Sequence, residues 1–341
     1  MTELTPTLPS NDSSPFKLAP AEKAARVTIG MLVFVENGVS LYALRHAPSV
    51  QTSLRYSLTS LSIANVLCGL VFTYHSIVID ISQFGEVSFE CWMRHIVLTS
   101  LTITTLATVA TLILDRTFAL FHPFGYRRFA SRAFFVCTHV LEWLLSVLVT
   151  TTAYAAGNDQ NVCHFSKMAS MATYTILSIV RCSLVVIIVT SQVIMFCLAK
   201  RHITKIVPNL VGSSQLKTAV RMNIKAIMTT SAIVLPFVVC VTPLYLGYFV
   251  ATLKPDMTKD YKWKIYLSFA ISILMVNGAI NPAIYCWRLP EVRRVLKRLC
   301  CNSPDDTTAN LAQTVQSTIQ PSLTTVSNGH TTGQGHCLVH N

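Results

Sequence analysis

Asn281-Pro282-Ala283-Ile284-Tyr285 lies within the last of seven long apolar stretches of this chain. A hydrocarbon core about 30 Å thick needs about 20 helical residues to cross it. The stretches read as membrane spans at roughly 25–46, 56–79, 91–121, 133–154, 172–200, 223–251 and 263–287. The expected fold is therefore an all-α membrane protein, a seven-transmembrane helix bundle. The Asn-Pro pair inside the seventh span narrows that general class to a specific kind of machine.

Composition agrees. Of 341 residues, 52% are hydrophobic and only 12% charged, against about a quarter charged in a soluble domain. Charge is kept out of most of the chain, as lipid requires. The formal net charge of +12 follows topology. Arg45, Arg55, Arg116, Arg127, Arg128, Arg132, Lys200, Arg201, Lys205, Lys217, Arg221, Lys225, Arg288, Arg293, Arg294, Lys297 and Arg298 fall on one side. Lys17, Lys23, Arg26, Lys167, Lys254, Lys259, Lys262 and Lys264 fall on the other. The richer side is expected to be cytoplasmic, which puts the N-terminus outside and the C-terminus inside. The basicity then attracts anionic membrane lipid, and no nucleic-acid partner is expected. Residues 1–24 form a polar extracellular tail without the basic start and short apolar core of a cleavable signal. The first span is expected to direct its own insertion. Asn11-Asp12-Ser13 fits a glycosylation acceptor, although such triplets also arise by chance in Ser-rich tails.

Short loops force neighbouring spans to run antiparallel. Residues 302–341 are rich in Ser, Thr, Gln and Asn and read as a disordered cytoplasmic tail. Before it, residues 288–301 form a short amphipathic interfacial helix. Val292, Val295, Leu296 and Leu299 share a face opposite Arg293, Arg294, Lys297 and Arg298. Cys300 and Cys301 at its end suit palmitoylation, which would reinforce a weak interfacial anchor; the plain alternative is two unmodified thiols. No metal-ligand spacing is present among the cysteines, and no cofactor is expected.

The third span ends in Leu114-Asp115-Arg116-Thr117. A carboxylate beside an arginine at the mouth of a membrane helix is costly unless used. Asp115 can hold Arg116 folded inward, and release would free a long cation for a cytoplasmic partner. Cys91 opens the same span and Cys163 lies in the second outer loop, where a bridge would tie the loop over the bundle. Together with Glu36-Asn37, Trp143, Phe237, Cys240, Pro243 and Asn281-Pro282-Ala283-Ile284-Tyr285, these residues make roughly 25–301 resemble the rhodopsin-like (class A) G protein-coupled receptors. The resemblance implies kinks at Pro243 and Pro282, because proline removes a helical hydrogen bond. It also implies that Arg116 and Tyr285 help form a cavity for a heterotrimeric G protein. Lys200, Lys205 and the loop from Phe121 to Phe124 would contribute, with Asp115, Thr117, Phe237 and Asn281 in the switch. Within that family the chain is similar to the melanocortin receptors, whose branch also holds cannabinoid, lysophospholipid and adenosine receptors. Phe237-Val238-Val239-Cys240, Met195-Phe196, the run from Ala199 to Ile206, a proline-free fifth span and the double cysteine carry that likeness.

Several positions depart from the family. His75, Cys91 and His95 stand where melanocortin receptors carry acids for peptide and calcium, which disfavours a melanocortin-type peptide. Leu98 replaces the aspartate of amine receptors, and Met275 replaces the retinal lysine of opsins. Arg94, about one turn below Cys91, lies at the depth where lysophospholipid receptors grip an anionic head group; it could instead pair with Glu90 or reach the interface. Arg181, in the outer half of span five, is a second candidate for anion contact. Glu142 reads as too near the cytoplasmic side to pair with it. His75, Arg94, His95, Leu98, Thr99, Thr102 and Arg181 are thus the candidate ligand contacts. Asn65 takes the place of the family's sodium-binding aspartate, with Asn37, Thr105, Asn277 and Asn281 as expected polar neighbours and no charge for the ion. Val241, Thr117, Gln192 and Asn223 also replace usual switch residues.

The expected function is a plasma-membrane receptor that turns binding of an extracellular ligand, a lipid or another anionic small molecule, into G-protein activation. Receptor kinase and arrestin would act on tail residues such as Thr307, Thr308, Ser317 and Thr318. The rival readings are a ligand-independent receptor acting by basal signalling or pairing and, further off, a seven-span transporter. No nucleophile–base or metal pattern points to an enzyme.

Overall fold

The computed structural model describes residues 19–82, 89–121, 126, 130–155, 171–201, 214–254, 256–257 and 261–301. Eight long helices occur among them: α1 (Pro20–Arg45), α2 (Thr52–Ser82), α3 (Phe89–Phe121), α4 (Arg132–Ala155), α5 (Met171–Arg201), α6 (Ser214–Leu253), α7 (Tyr261–Arg288) and α8 (Pro290–Cys301). The first seven each contain a segment long and apolar enough to cross a membrane. The protein is thus a multi-pass membrane protein with a seven-helix bundle.

Consecutive helices from α1 to α7 pack as neighbours, and α1 returns against α7 to close the ring. α3 touches α2, α4, α5 and α6. Its apolar segment is 67% buried, against 22% for that of α4, so α3 is the hub and α4 faces lipid. Leu106, Val109, Leu112 and Ile113 of α3 are fully buried, whereas Leu144, Ile179, Val239 and Phe269 are exposed. An apolar exterior is what a hydrocarbon solvent demands.

Between lipid-embedded helices the attraction comes from close packing more than from the hydrophobic effect. The α1–α2 crossing depends on small residues. A Cβ added to Gly69 would lie 2.7 Å from the Gly30 carbonyl oxygen and 2.8 Å from the Phe34 nitrogen. Backbone atoms cannot yield there, so only glycine permits this approach.

Helix ends extend past the apolar runs. α1 begins at Pro20, inside the polar tail read as 1–24, because Pro20 occupies a first-turn position and Glu22 complements the helix N-terminus. α6 begins at Ser214, nine residues before the expected 223, and its membrane-crossing segment starts only at Ile227. Hydropathy reports where lipid begins, not where a helix begins. Both Pro236 and Pro243 lie inside α6, and Pro282 lies inside α7. The chain divides into Met1–Arg293 and Arg294–Asn341. In α8 Val292 is buried and Arg293, Arg294, Lys297 and Arg298 are exposed.

Candidate functional site

At the C-terminal end of α3, Arg116 is 5% exposed and its guanidinium is fully engaged. Nε donates to Asp115 Oδ2 at 2.9 Å, and Nη2 donates to the same oxygen. Nη1 donates to Gln51, and Nη2 also reaches Ser53 and the Tyr126 hydroxyl. Tyr126 in turn donates to Asp115 Oδ1 at 2.8 Å. Burial pushes the Tyr126 phenol up from its ordinary value, against the opposing pull of Arg116, so it stays a donor. A buried cation that donates twice to one carboxylate oxygen and also to neutral acceptors is stable where a lone one is not. Asp115 and Arg116, singled out in the sequence as a pair, are in direct contact. Gln51, Ser53 and Tyr126 were not foreseen, because no periodicity links positions 63 and 65 residues before Arg116 to it. Thr117 Oγ1 instead donates to Ile113 O of its own helix at 2.8 Å.

The polar core joins three helices. Asn37 Nδ2 donates to Val33 O at 2.8 Å and to Gly278 O of α7 at 2.9 Å. Asn65 Nδ2 donates to Asn37 Oδ1 at 3.2 Å. Asn65, Thr102, Thr105, Phe237 and Asn277 line a small cavity of about 20 Å³, room for about one water molecule. The expected grouping of Asn65, Thr105 and Asn277 is present. Asn281 and Tyr285 are buried nearby in sequence but do not line this cavity. Among the described residues no cluster of His, Cys, Asp or Glu could hold a metal ion. Near Pro243, the Tyr266 hydroxyl donates to the Pro243 carbonyl and so ties α7 to α6.

A second polar seam runs between α2, α3 and α4. Glu142 accepts from Thr108 at 3.1 Å, from Thr111, and from His139 Nδ1 at 2.8 Å. His139 Nε2 meets Ser57 Oγ at 3.2 Å, and Trp143 Nε1 donates to Ser60 at 3.1 Å. Glu142 pairs with His139 in the structure. The spacing of three residues on one helix was the signal for that pair, and it was missed.

At the Cys91 end, Arg94 is 4% exposed and lies 3.5 Å from Glu90. The rings of His75 and His95 meet edge to face at 5.6 Å. Arg26 of α1, absent from the sequence-derived contacts, is 4% exposed. It lies 3.2 Å from Glu22 and donates to Ser268 of α7, which donates to Glu22. Arg181 is engaged elsewhere. Its guanidinium sits 4.8 Å from the Tyr248 ring and 5.6 Å from the Tyr245 ring, a cation–π arrangement that suits a desolvated cation. Thr99 meets the Tyr154 hydroxyl at 3.4 Å, Thr102 bonds to Thr99 O at 2.8 Å, and Leu98 is half-buried. Cys91 is disulfide-bonded. Cys163, Asn11 and Lys205 lie outside the described residues, as do the side chains of Asn223, Cys300 and Cys301.

Residues 36–285 match the family model described as 7 transmembrane receptor (rhodopsin family). Melanocortin receptor 5 of Rattus norvegicus is 21% identical over 284 residues, covering 81% of this chain and 82% of that protein. The Homo sapiens counterpart is 20% identical over 300 residues, covering 85% and 87%. Tachykinin-like peptides receptor 86C of Drosophila melanogaster is 24% identical over 324 residues, covering 87% of this chain and 63% of that receptor. With seven membrane-capable helices, an arginine locked at the end of α3 and a match over most of its length, the chain belongs to the rhodopsin family of seven-transmembrane receptors, a family of receptors and not of enzymes.

Proposed function

We propose that this receptor sits in the plasma membrane with its Cys91 end outside and couples an extracellular ligand to a heterotrimeric G protein at its Arg116 end. One observation carries the reading: Arg116 is held by its neighbour Asp115, by Gln51 and Ser53 at the start of α2, and by Tyr126. Those partners give the guanidinium two arrangements, folded in or released. A ligand acts only by binding the released arrangement better than the locked one. Arg116, Tyr285, Lys200 and Lys205 would meet the G protein, and receptor kinase and arrestin would act on the C-terminal tail. A Cys91–Cys163 bridge, glycosylation at Asn11 and acylation at Cys300 and Cys301 belong to the same reading.

The relatives carry names of melanocortin and tachykinin-like peptide receptors. For this chain the outer cations Arg94 and Arg26 favour an anionic small molecule or lipid. A ligand-independent receptor is supported by a different observation: Arg26, Arg94 and Arg181 are each already engaged by groups of the protein itself. The test is Arg116→Ala in cells carrying G-protein activation reporters, without and with a ligand library. Signalling is expected to vanish while surface expression persists. Unchanged signalling would refute the coupling role, and strong activation without ligand in the parent receptor would favour the second reading.

A further inference from the structure

We propose that Cys68 and Met275 form a site for one soft monovalent metal ion, Cu(I), with the amide oxygen of Asn277 as a third donor. Such a site depends on neither the ligand nor the G protein proposed above.

Cys68 of α2 and Met275 of α7 stand 207 residues apart in the sequence, so no spacing pattern announces them. The bundle brings their sulfurs to 3.8 Å, with the thiol donating to the thioether. Each residue is 5% exposed, and both line the small cavity that Asn65 and Asn277 share. A metal at about 2.3 Å from each sulfur, the distance in zinc thiolates, would subtend an angle of about 110° between sulfurs 3.8 Å apart. The two sulfurs are thus already spaced for a trigonal or tetrahedral ion. Asn277 is 2% exposed, yet its Oδ1 accepts no hydrogen bond from a described residue. A buried acceptor without a donor is costly, and a cation relieves that cost. Water would satisfy the amide but gain little from a thiol and a thioether, which are weak hydrogen-bonding groups.

Softness and charge together select the ion. Thiolate and thioether ligands favour Cu(I), whereas zinc in a closed site takes four N, S or O ligands. Cys68 enters as a neutral thiol and binds as a thiolate: the thiol and Cu(I) give a copper–sulfur bond, and the proton leaves to the buffer. A monovalent ion therefore leaves the loaded site neutral, while a divalent ion leaves one positive charge. No carboxylate lines the cavity to offset that charge, and an uncompensated buried charge is strongly destabilising. Val33, Phe237 and Leu274 complete the wall, an apolar shell that limits competition from water. Because Cys68 belongs to α2 and Met275 and Asn277 to α7, the bound ion would staple those two helices within the membrane.

The full-length receptor, purified into neutral phosphatidylcholine nanodiscs, can be titrated with Cu(I) buffered by bathocuproine disulfonate under ascorbate. A saturable rise in Tm is expected, which neither sodium nor zinc reproduces, and X-ray absorption at the copper edge should show sulfur neighbours at about 2.3 Å. Met275→Leu keeps the volume and removes the thioether. Copper affinity should fall roughly tenfold or more, as it does when even an outer-shell partner is lost, with little change in the metal-free Tm. Cys68→Ser should abolish the response. Replacing the exposed thiols of Cys137 and Cys197 by Ser should leave it unchanged. Met275→Leu keeps the test decisive if Cys68→Ser does not fold. The proposal is overturned if Cu(I) leaves Tm unchanged, which would reduce the pair to an S–H···S contact. It is equally overturned if the Met275→Leu receptor responds like the parent, or if zinc acts as strongly as copper. Every readout uses receptor without G protein, so such a failure would leave the coupling reading intact.

Discussion

Gln192 of α5 donates a 2.8 Å hydrogen bond to Ser231 of α6. On the other flank, Arg288 Nη2 of α7 donates to Met228 O at 2.9 Å. The two bonds hold one turn of α6 to both neighbours on the Arg116 side of the bundle. Removing the first should favour release of that part of α6. A net loss of about 1 kcal/mol corresponds to roughly a fivefold shift toward the open arrangement. Gln192→Ala is therefore expected to raise ligand-free nucleotide exchange on G protein in membranes severalfold; unchanged or reduced exchange would exclude this bond as a restraint.

Tyr126 touches both members of the Asp115–Arg116 pair. Tyr126→Phe keeps the ring and deletes the hydroxyl, leaving the pair one donor and one acceptor short. Basal activation should rise a few-fold, with little change in surface expression. If the variant is silent in basal assays but folds normally, the hydroxyl does not contribute to the lock.

Gly69→Ala introduces one methyl group against backbone atoms at 2.7 and 2.8 Å. Overpacking of this kind costs about 1–3 kcal/mol. A lower Tm and reduced cell-surface yield are expected, with a smaller effect for Gly38→Ala, where an added Cβ meets nothing within 4 Å. Equal behaviour of the two variants would mean that the α1–α2 crossing is looser than described.

The amides of Asn37, Asn65 and Asn277 in and beside the small cavity offer no carboxylate to a cation. Exchanging sodium for a large organic cation should leave thermal stability and agonist affinity nearly unchanged. Asn65→Asp should make both respond to sodium. A large sodium effect on the unmodified receptor would contradict this account of the cavity.

Much of the architecture was legible because lipid imposes a strong length and polarity rule on each helix. The Asp115–Arg116 contact was legible because neighbouring charges at a helix end have few alternatives. Other partners were not. Gln51 and Ser53 reach Arg116 only through the packing of α2 on α3, and Tyr126 lies beyond the end of α3, where no helical period points to it. Arg26 looked like a flanking charge beside the first span, yet Pro20 starts the helix early and turns that residue inward against α7. Arg181 was noticed as a buried cation, but its cover by Tyr245 and Tyr248 depends on how α5 and α6 face each other. The first turns of α6, before its span, were not read because they are polar and carry no hydropathy signal.

Those extra turns give α6 mechanical reach. Forty residues make a rod about 60 Å long at 1.5 Å per residue. From Pro243 to Ser214 the arm measures roughly 43 Å by the same rise. A tilt of about 10° about that proline would carry the far tip roughly 8 Å sideways, close to the width of a helix. The bonds of Asn37 and Asn65 join α1, α2 and α7 without α6, so they need not break as the arm swings, and the displacement grows with distance along the rod.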